Sequence, residues 1–343
     1  MPAQSDKLPL PHFGSINAGM AASLDMALKY RDSFQKNPDL HRLSIGTTCL
    51  FREPESCKAV AALLRDKKPT AISIMGSSDG SEAYSYAIAI NRGNIPFKTP
   101  KRIQITAVEP EPNLSALNES SYIVCTDLER EIQKRVNTPL NGVWNKFFTK
   151  LRKPSQALNK LLDDHADLMG ITQDPVAGVH IGNHMDWYKV NRRNMPLIST
   201  QNTTMEAYVK QIPSDHERQI YVLANSWNYL LAKDTRNTLN LRYDFSHNKI
   251  LQFMSVIQDI KRQNQDKDVW IVLGNMEKRL FLKAPFLRSY LYQMGVRPLK
   301  ANALKTAGIS TLSQKELTAL EGKIWRISSF DPFSTRISRR HTI

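Results

Sequence analysis

Residues 72–85 read ISIMGSSDGSEAYS, and their reading decides the fold. The stretch opens as a short apolar strand. It turns through Gly76, Ser77, Ser78, Asp79 and Gly80, then passes at once into helix-forming residues, Ser81, Glu82, Ala83 and Tyr84. Strand, glycine-bearing turn and helix start form the opening unit of a nucleotide-type α/β site. The glycines let backbone approach a ligand, and the first helical turn presents free N–H groups. Many turns of this kind bind nothing, so the flanking segments carry the decision.

Working outward, residues 70–75 (TAISIM) follow Lys67, Lys68 and Pro69 and read as a buried strand. Residues 82–91 read as a helix with Tyr84, Ala87, Ile88 and Ile90 on its apolar face, and Gly93 ends it. Residues 102–108 (RIQITAV) form a second strand that runs into Glu109, Pro110 and Glu111. Strand, helix and strand in this order make a βαβ unit with a parallel pair and a right-handed crossover. Strands are expected again at 195–200, 219–224 (QIYVLA), 268–273 (DVWIVL), 296–299 and 323–327. Helices are expected at 247–262 and 286–294. Upstream, residues 21–34 read as helix, 43–51 as an apolar, hydroxyl-rich run, and Pro54 opens a helix that continues through 56–65. The expected organisation has three parts. Residues 1–66 are an N-terminal arm and helices, 67–330 an open, mostly parallel α/β domain, and 331–343 a basic tail. Residues 114–194 are expected to be a helical insertion, with helices at 128–136 and 155–169 packed onto the body by Trp144, Phe147 and Phe148.

The 343 residues carry a formal net charge of +15. That balance favours acidic partners: an acidic protein, nucleic acid or an anionic membrane face. The basic clusters, at 146–153, 192–193 and 336–340, are not interleaved with aromatics, which argues against a base-stacking platform and makes nucleic acid the less favoured partner. The three cysteines, Cys49, Cys57 and Cys125, form no CxxC pair, which fits a reducing compartment and no structural zinc. The sequence shows no apolar run of membrane-spanning length and no secretory leader, so a cytoplasmic protein is expected. His180 and His184 are four apart with Asp186 nearby, but Gly182 between them and the lack of a third ligand argue against a metal site.

In an open parallel sheet, ligands bind beyond the carboxyl ends of the strands. Those ends hold the 76–80 turn, Glu109, Asn225, and Gly274 with Asn275 and Glu277. A carboxylate at the end of the second strand suits a ribose diol, since it accepts from both hydroxyls; the alternative is a solvated strand-end acid. The turn has neither a full GxGxxG nor a GK[ST], so a nucleoside-sized ligand is favoured over a dinucleotide or triphosphate.

Residues 47–53 (TTCLFRE) and 76–85 (GSSDGSEAYS) resemble the start of the chemotaxis-receptor methyltransferase family, the CheR type, with its TxFFRE stretch and GxSxGEExYS loop. TAVEPE at 106–111, STQNTT at 199–204, VLANS at 222–226 and VLGNME at 272–277 are similar to the family's later strand-end motifs, in the same order. The resemblance implies the class I, Rossmann-like methyltransferase fold, with a seven-stranded sheet whose last pair is partly antiparallel. It implies S-adenosylmethionine as cofactor. Thr48 and Arg52 would face the cofactor and an acceptor carboxylate. Gly76, Ser78, Gly80 and Glu82 would form the cofactor loop. Glu109 would take the ribose, and Asn202 and Asn225 would lie near the adenine and methionine ends. Arg52 is implied to be the catalytic side chain, holding a carboxylate nucleophile through its planar fork. The bland alternative is an Arg52 salt bridge with Glu53 or Glu55.

The chain departs from the family at Gly46, Ser81, Ala224 and Asn275, and it shows no glycine-rich β-insert of the kind that docks receptor tails. The expected function is therefore methyl transfer to a protein carboxylate or another protein side chain. The alternative is a degenerate methyltransferase fold that holds an acidic partner through its basic surface.

Overall fold

The computed structural model describes residues 50–78, 80–97, 102–110, 115, 118–126, 140, 142–151, 185–211, 215–224, 247–274, 277–278 and 285–327. The helices expected at 21–34, 128–136 and 155–169 lie outside the described residues, as do Thr48, Asp79, Asn225, Asn275, the histidine pair and the basic tail.

The first described helix, α1 (Pro54–Leu63), opens on a proline at its first turn, where the missing N–H costs nothing. Next come β1 (Thr70–Met75), α2 (Ser81–Arg92) and β2 (Ile103–Val108). After the insertion come β6 (Leu197–Gln201), α4 (Met205–Gln211), β7 (Arg218–Leu223), α5 (His247–Gln263) and β8 (Asp268–Leu273). The chain then adds α6 (Pro285–Gln293), β9 (Val296–Pro298), α7 (Ala301–Thr306), α8 (Gln314–Leu320) and β10 (Ile324–Ile327). A capping box between Ser313 and Glu316 starts α8.

Seven strands form one sheet in the order β6-β2-β1-β7-β8-β10-β9. The first five run parallel, with Ile72 beside both Ile105 and Ile220, and Ile220 beside Trp270. Only β10 is reversed, antiparallel to β8 and to β9. The strands alternate between two cores, as period-two side chains must. Ile72, Ile74, Ile105, Ile220, Val222 and Val272 pack with α1, α2, α7 and α8 on one face. Met75, Tyr221, Leu223, Val269, Ile271 and Leu273 pack with α4, α5 and α6 on the other. Two covered faces explain why β1, β7 and β8 read as nearly continuous apolar runs.

The sequence reading expects a helical insertion with helices at 128–136 and 155–169, both outside the described residues, and it names no strand between 114 and 194. The described part of the insertion is a three-stranded antiparallel sheet in the order β3-β5-β4, built from β3 (Tyr122–Thr126), β4 (Phe148–Lys150) and β5 (Met185–Val190). One short helix, α3 (Trp144–Phe147), precedes β4. The β-branched and aromatic runs YIVCT and MDWYKV carry the strand signal. Their partners stand some sixty residues apart, so periodicity within either window does not reveal the pairing. Trp144, Phe147 and Phe148 do pack onto the body, in the same core as α2, with Trp144 edge-on to Tyr188 at 5.2 Å.

Candidate functional site

The turn between β1 and α2 is bent by left-handed backbone. Gly76, Ser78 and Gly80 have φ of 68°, 52° and 88°. Gly80 needs glycine twice over: its φ is unfavourable to a side chain, and a Cβ there would stand 2.5 Å from Asn118 Oδ1. Ser78 takes its conformation without that freedom, at a cost on the order of 1 kcal/mol. Hydrogen bonds offset it. The Gly76 and Ser77 N–H groups both donate to Val108 O, at 2.9 and 3.0 Å, and Ser78 N–H donates to Glu109 Oε2 at 2.7 Å. The ends of the first two strands are thus sewn together through the turn.

Glu109 is fully buried. The reading of it as a solvated strand-end acid is therefore overturned, and its carboxylate accepts from the turn. Asn202, at the end of β6, donates Nδ2 to the carbonyls of Glu109 and Pro110 at 3.0 and 3.3 Å. The structure thus brings Gly76, Ser78, Gly80, Glu82, Glu109 and Asn202 to the carboxyl ends of β1, β2 and β6, while Thr48 and Asn225 lie outside the described residues.

Arg52 reaches the same rim from upstream. Phe51, with φ of 54°, donates its N–H to Ser85 Oγ at 2.8 Å, and Ser85 Oγ donates to Ser81 O at 2.7 Å. The segment carrying Arg52 therefore rides on the first turns of α2. Arg52 Nη2 stands 3.8 Å from Glu82 Oε2, with both side chains nearly buried. The bland alternative placed Glu53 or Glu55 opposite Arg52. Among the described ion pairs, Glu53 instead takes Lys323 at 2.6 Å, with both side chains 4% exposed.

Three carboxylates act on one another here. Burial pushes Glu82 from its ordinary value up to about 7; Arg52 pulls it down, and Glu53 and Glu277 add to the rise. Glu277, just past β8, is itself buried. Burial first, and then the Glu82 charge, push the Cys57 thiol well up, which leaves it unreactive. Perturbed acids of this kind concentrate at functional sites, although buried ion-pair networks shift pKa values too. Among the described residues, no group of three or more His, Cys, Asp or Glu side chains is placed to hold a metal, and no helix is long and apolar enough to cross a membrane.

Sequence reasoning missed Asn118, Arg192 and Lys323. Asn118 Nδ2 donates to Ser77 Oγ at 3.1 Å, and Arg192, past β5, donates to the Asn118 carbonyl at 2.8 Å. Neither lies in a strand-end motif. Only the pair of basic residues at 192–193 stood out, and charge alone does not say where it points.

The sheet order, with one reversed strand next to the edge, and a glycine-bearing turn after the first strand define the class I, Rossmann-like methyltransferase fold. No protein-family model and no curated protein matches the chain. Among solved structures it is similar to the SAH-bound methyltransferase PaMTH1 of Podospora anserina, at 10% identity over 86% of this chain and 94% of the other, with a TM-score of 0.31. The plantazolicin methyltransferase BpumL in complex with SAH is similar at 9% identity over 88% and 75%, with a TM-score of 0.25. BamL, in complex with a triazolic desmethylPZN analogue and SAH, is similar at 9% identity over 92% and 100%, with a TM-score of 0.31. At such scores the likeness carries no argument, and the assignment of fold rests on strand order and direction.

Proposed function

We propose that the chain is an S-adenosylmethionine-dependent methyltransferase of the chemotaxis-receptor type, acting on a protein carboxylate or another protein side chain. The observation that carries this reading is the convergence of the 76–80 turn, Glu109 and the Arg52–Glu82 pair on one rim of the sheet. The residues fit the cofactor on a specific ground. Ser78 Oγ and Asn118 Oδ1 are buried beside the turn and find no hydrogen-bond partner among the described residues, and such atoms ask for one. Ser78, Gly80 and Glu82 would hold the methionine end, Glu109 the ribose hydroxyls and Asn202 the adenine side, with Thr48 and Asn225 completing the set.

The bound cofactor supplies a sulfonium methyl group for in-line displacement. The chain's part is to position two partners and keep water out. An acceptor carboxylate is ionised at neutral pH and needs no base. Arg52 holds it in register, and Glu82, titrating near neutrality, gives Arg52 up as it takes a proton. Calorimetry with S-adenosylmethionine and S-adenosylhomocysteine tests the reading, and absence of binding at millimolar ligand removes it. The second reading is a binding protein without turnover. The Arg52–Glu82 pair favours it, since Arg52 already faces a carboxylate of its own chain. Transfer of labelled methyl groups to a protein, lost in Arg52→Ala, excludes that alternative.

A further inference from the structure

Arg192 closes the insertion and reaches into the candidate site. Its Nη2 meets three oxygens: the carbonyls of Asn118 and Glu119, at 2.8 and 3.3 Å, and the Tyr84 hydroxyl at 3.2 Å. Its guanidinium carbon lies 5.9 Å from the centre of the Tyr84 ring. Tyr84 in turn donates its hydroxyl to the Asn118 carbonyl at 2.9 Å. Asn118 passes the contact on, through Nδ2 to Ser77 Oγ and through Oδ1 to the space above Gly80. A continuous path runs from the end of β5, through one arginine, to both ends of the turn. Tyr84 and Asn118 are fully buried.

We infer that Arg192 is a positioning residue for the cofactor turn, and that the β3-β5-β4 insertion sets the geometry of that turn through the cluster of Arg192, Asn118 and Tyr84. The inference rests on the proposed cofactor site and adds that insertion and cofactor are coupled. Two observations set the cluster apart from ordinary packing. First, the insertion is already tethered elsewhere. Trp144, Phe147, Tyr188 and Val190 lie in the shared core, and Lys146 Nζ donates to Asn91 Oδ1 at 2.8 Å. Second, among the described residues the buried Asn118 Oδ1 and Arg192 Nε find no hydrogen-bond partner. Packing alone disfavours such atoms, and a donor on a ligand in the turn is the missing partner for Asn118 Oδ1. Coupling of this kind is reciprocal: a cluster that orders the turn for the cofactor is ordered by the cofactor in return.

The test uses the full chain, with S-adenosylhomocysteine as probe. Affinity by calorimetry is measured alongside amide hydrogen exchange at Ser77, Ser78 and Tyr84. Arg192→Met is expected to weaken binding by about tenfold or more and to speed exchange at those amides even without ligand. Arg192→Lys is expected to recover much of both, because an ammonium has three donors for the three oxygens that Nη2 now serves. Lys146→Met, which loosens the other tether, is expected to leave affinity and exchange within about twofold of the parent. Ligand added to the parent should slow exchange at Val190 and Asn191. The inference is overturned if Arg192→Met binds like the parent with unchanged exchange, or if Lys146→Met has an equal effect. If the parent binds no ligand while Arg192→Met still loosens the turn, the cofactor reading fails and the link from insertion to turn stands. Should Arg192→Met fail to fold, Tyr84→Phe decides, because it removes the hydroxyl that joins Arg192 to Asn118: weakened binding with faster exchange at Ser77 and Ser78 supports the cluster, and parent-like affinity with unchanged exchange overturns it.

Discussion

Two charged networks sit at opposite ends of the same parallel strands, and they are built to different standards. At the amino ends, Arg218 opens β7. It bonds both oxygens of Asp66, Asp268 Oδ2 at 3.0 Å and the Leu63 carbonyl at 2.8 Å. Arg326 takes the other oxygen of Asp268 at 3.0 Å and lies over the Trp270 ring. Burial alone would raise Asp66 and Asp268, but the Arg218 hydrogen bonds to both, with the Arg326 charge beside Asp268, hold both below the ordinary carboxylate value. At the carboxyl ends, Arg52 and Glu82 stand 3.8 Å apart and burial wins, carrying Glu82 up to about 7. One network is satisfied and welds the sheet. In the other, the Arg52–Glu82 pair is longer and burial outweighs the arginine's charge.

The largest expected effect breaks the satisfied network. Arg218→Met strands the nearly buried Asp268 and takes the partner from the exposed Asp66, and urea unfolding should show a loss of about 3 kcal/mol. Folded Arg218→Met should still bind S-adenosylhomocysteine like the parent, since its contacts lie at the far end of the strands. If the variant loses no more than a surface substitution does, the contrast between the two ends fails.

The two ends also respond to acid with opposite signs. Asp66 and Asp268 are depressed, so their stabilisation is present above the unfolded pKa and disappears as pH falls through their folded values. Glu82 is raised from 4.5 to about 7, so the folded state holds its proton more tightly. Its contribution is fully present below 4.5 and is lost as pH rises to about 7. Glu82→Gln should therefore flatten the fall in stability across that window, by an amount on the order of 3 kcal/mol. Parallel pH profiles of parent and variant would show the carboxyl-end cluster to be as well matched as the other.

A smaller effect is expected at the turn. Gly80→Ala places a Cβ against Asn118 in left-handed backbone, which should cost about 2 kcal/mol and weaken ligand binding further. The smallest effect on stability sharpens the comparison most. Arg52→Ala removes a 3.8 Å pair whose acid can take a proton instead, so unfolding below about pH 7 should change by about 1 kcal/mol while methyl transfer falls by about a hundredfold. Loss of stability as large as that of Arg218→Met would make Arg52 a structural residue.

Much of this was legible in the chain. The strands at β1, β7 and β8 and the helices α2 and α5 stand within a residue or two of their expected places, because long apolar runs bury both faces of a parallel sheet. The β1 turn was legible because glycine and serine at a strand end have few other uses. The insertion strands were not, since YIVCT and MDWYKV find their partners across residues that carry no pairing signal. Arg52 stands at the rim, and the Glu82 carboxylate that faces it lies thirty residues on, beyond the reach of local pattern.

By itself, the sequence determined the βαβ start, its glycine turn and the alternation that makes an open sheet, since these depend on neighbours a few residues away. Tertiary structure decided which charges meet. Glu53 and Lys323, Arg52 and Glu82, and Arg192 and Asn118 come together only when parallel strands take their register and the insertion folds back on α2. A charged residue's type says that it needs a partner or water. Only the packed fold settles which it receives, and how far burial then moves its proton.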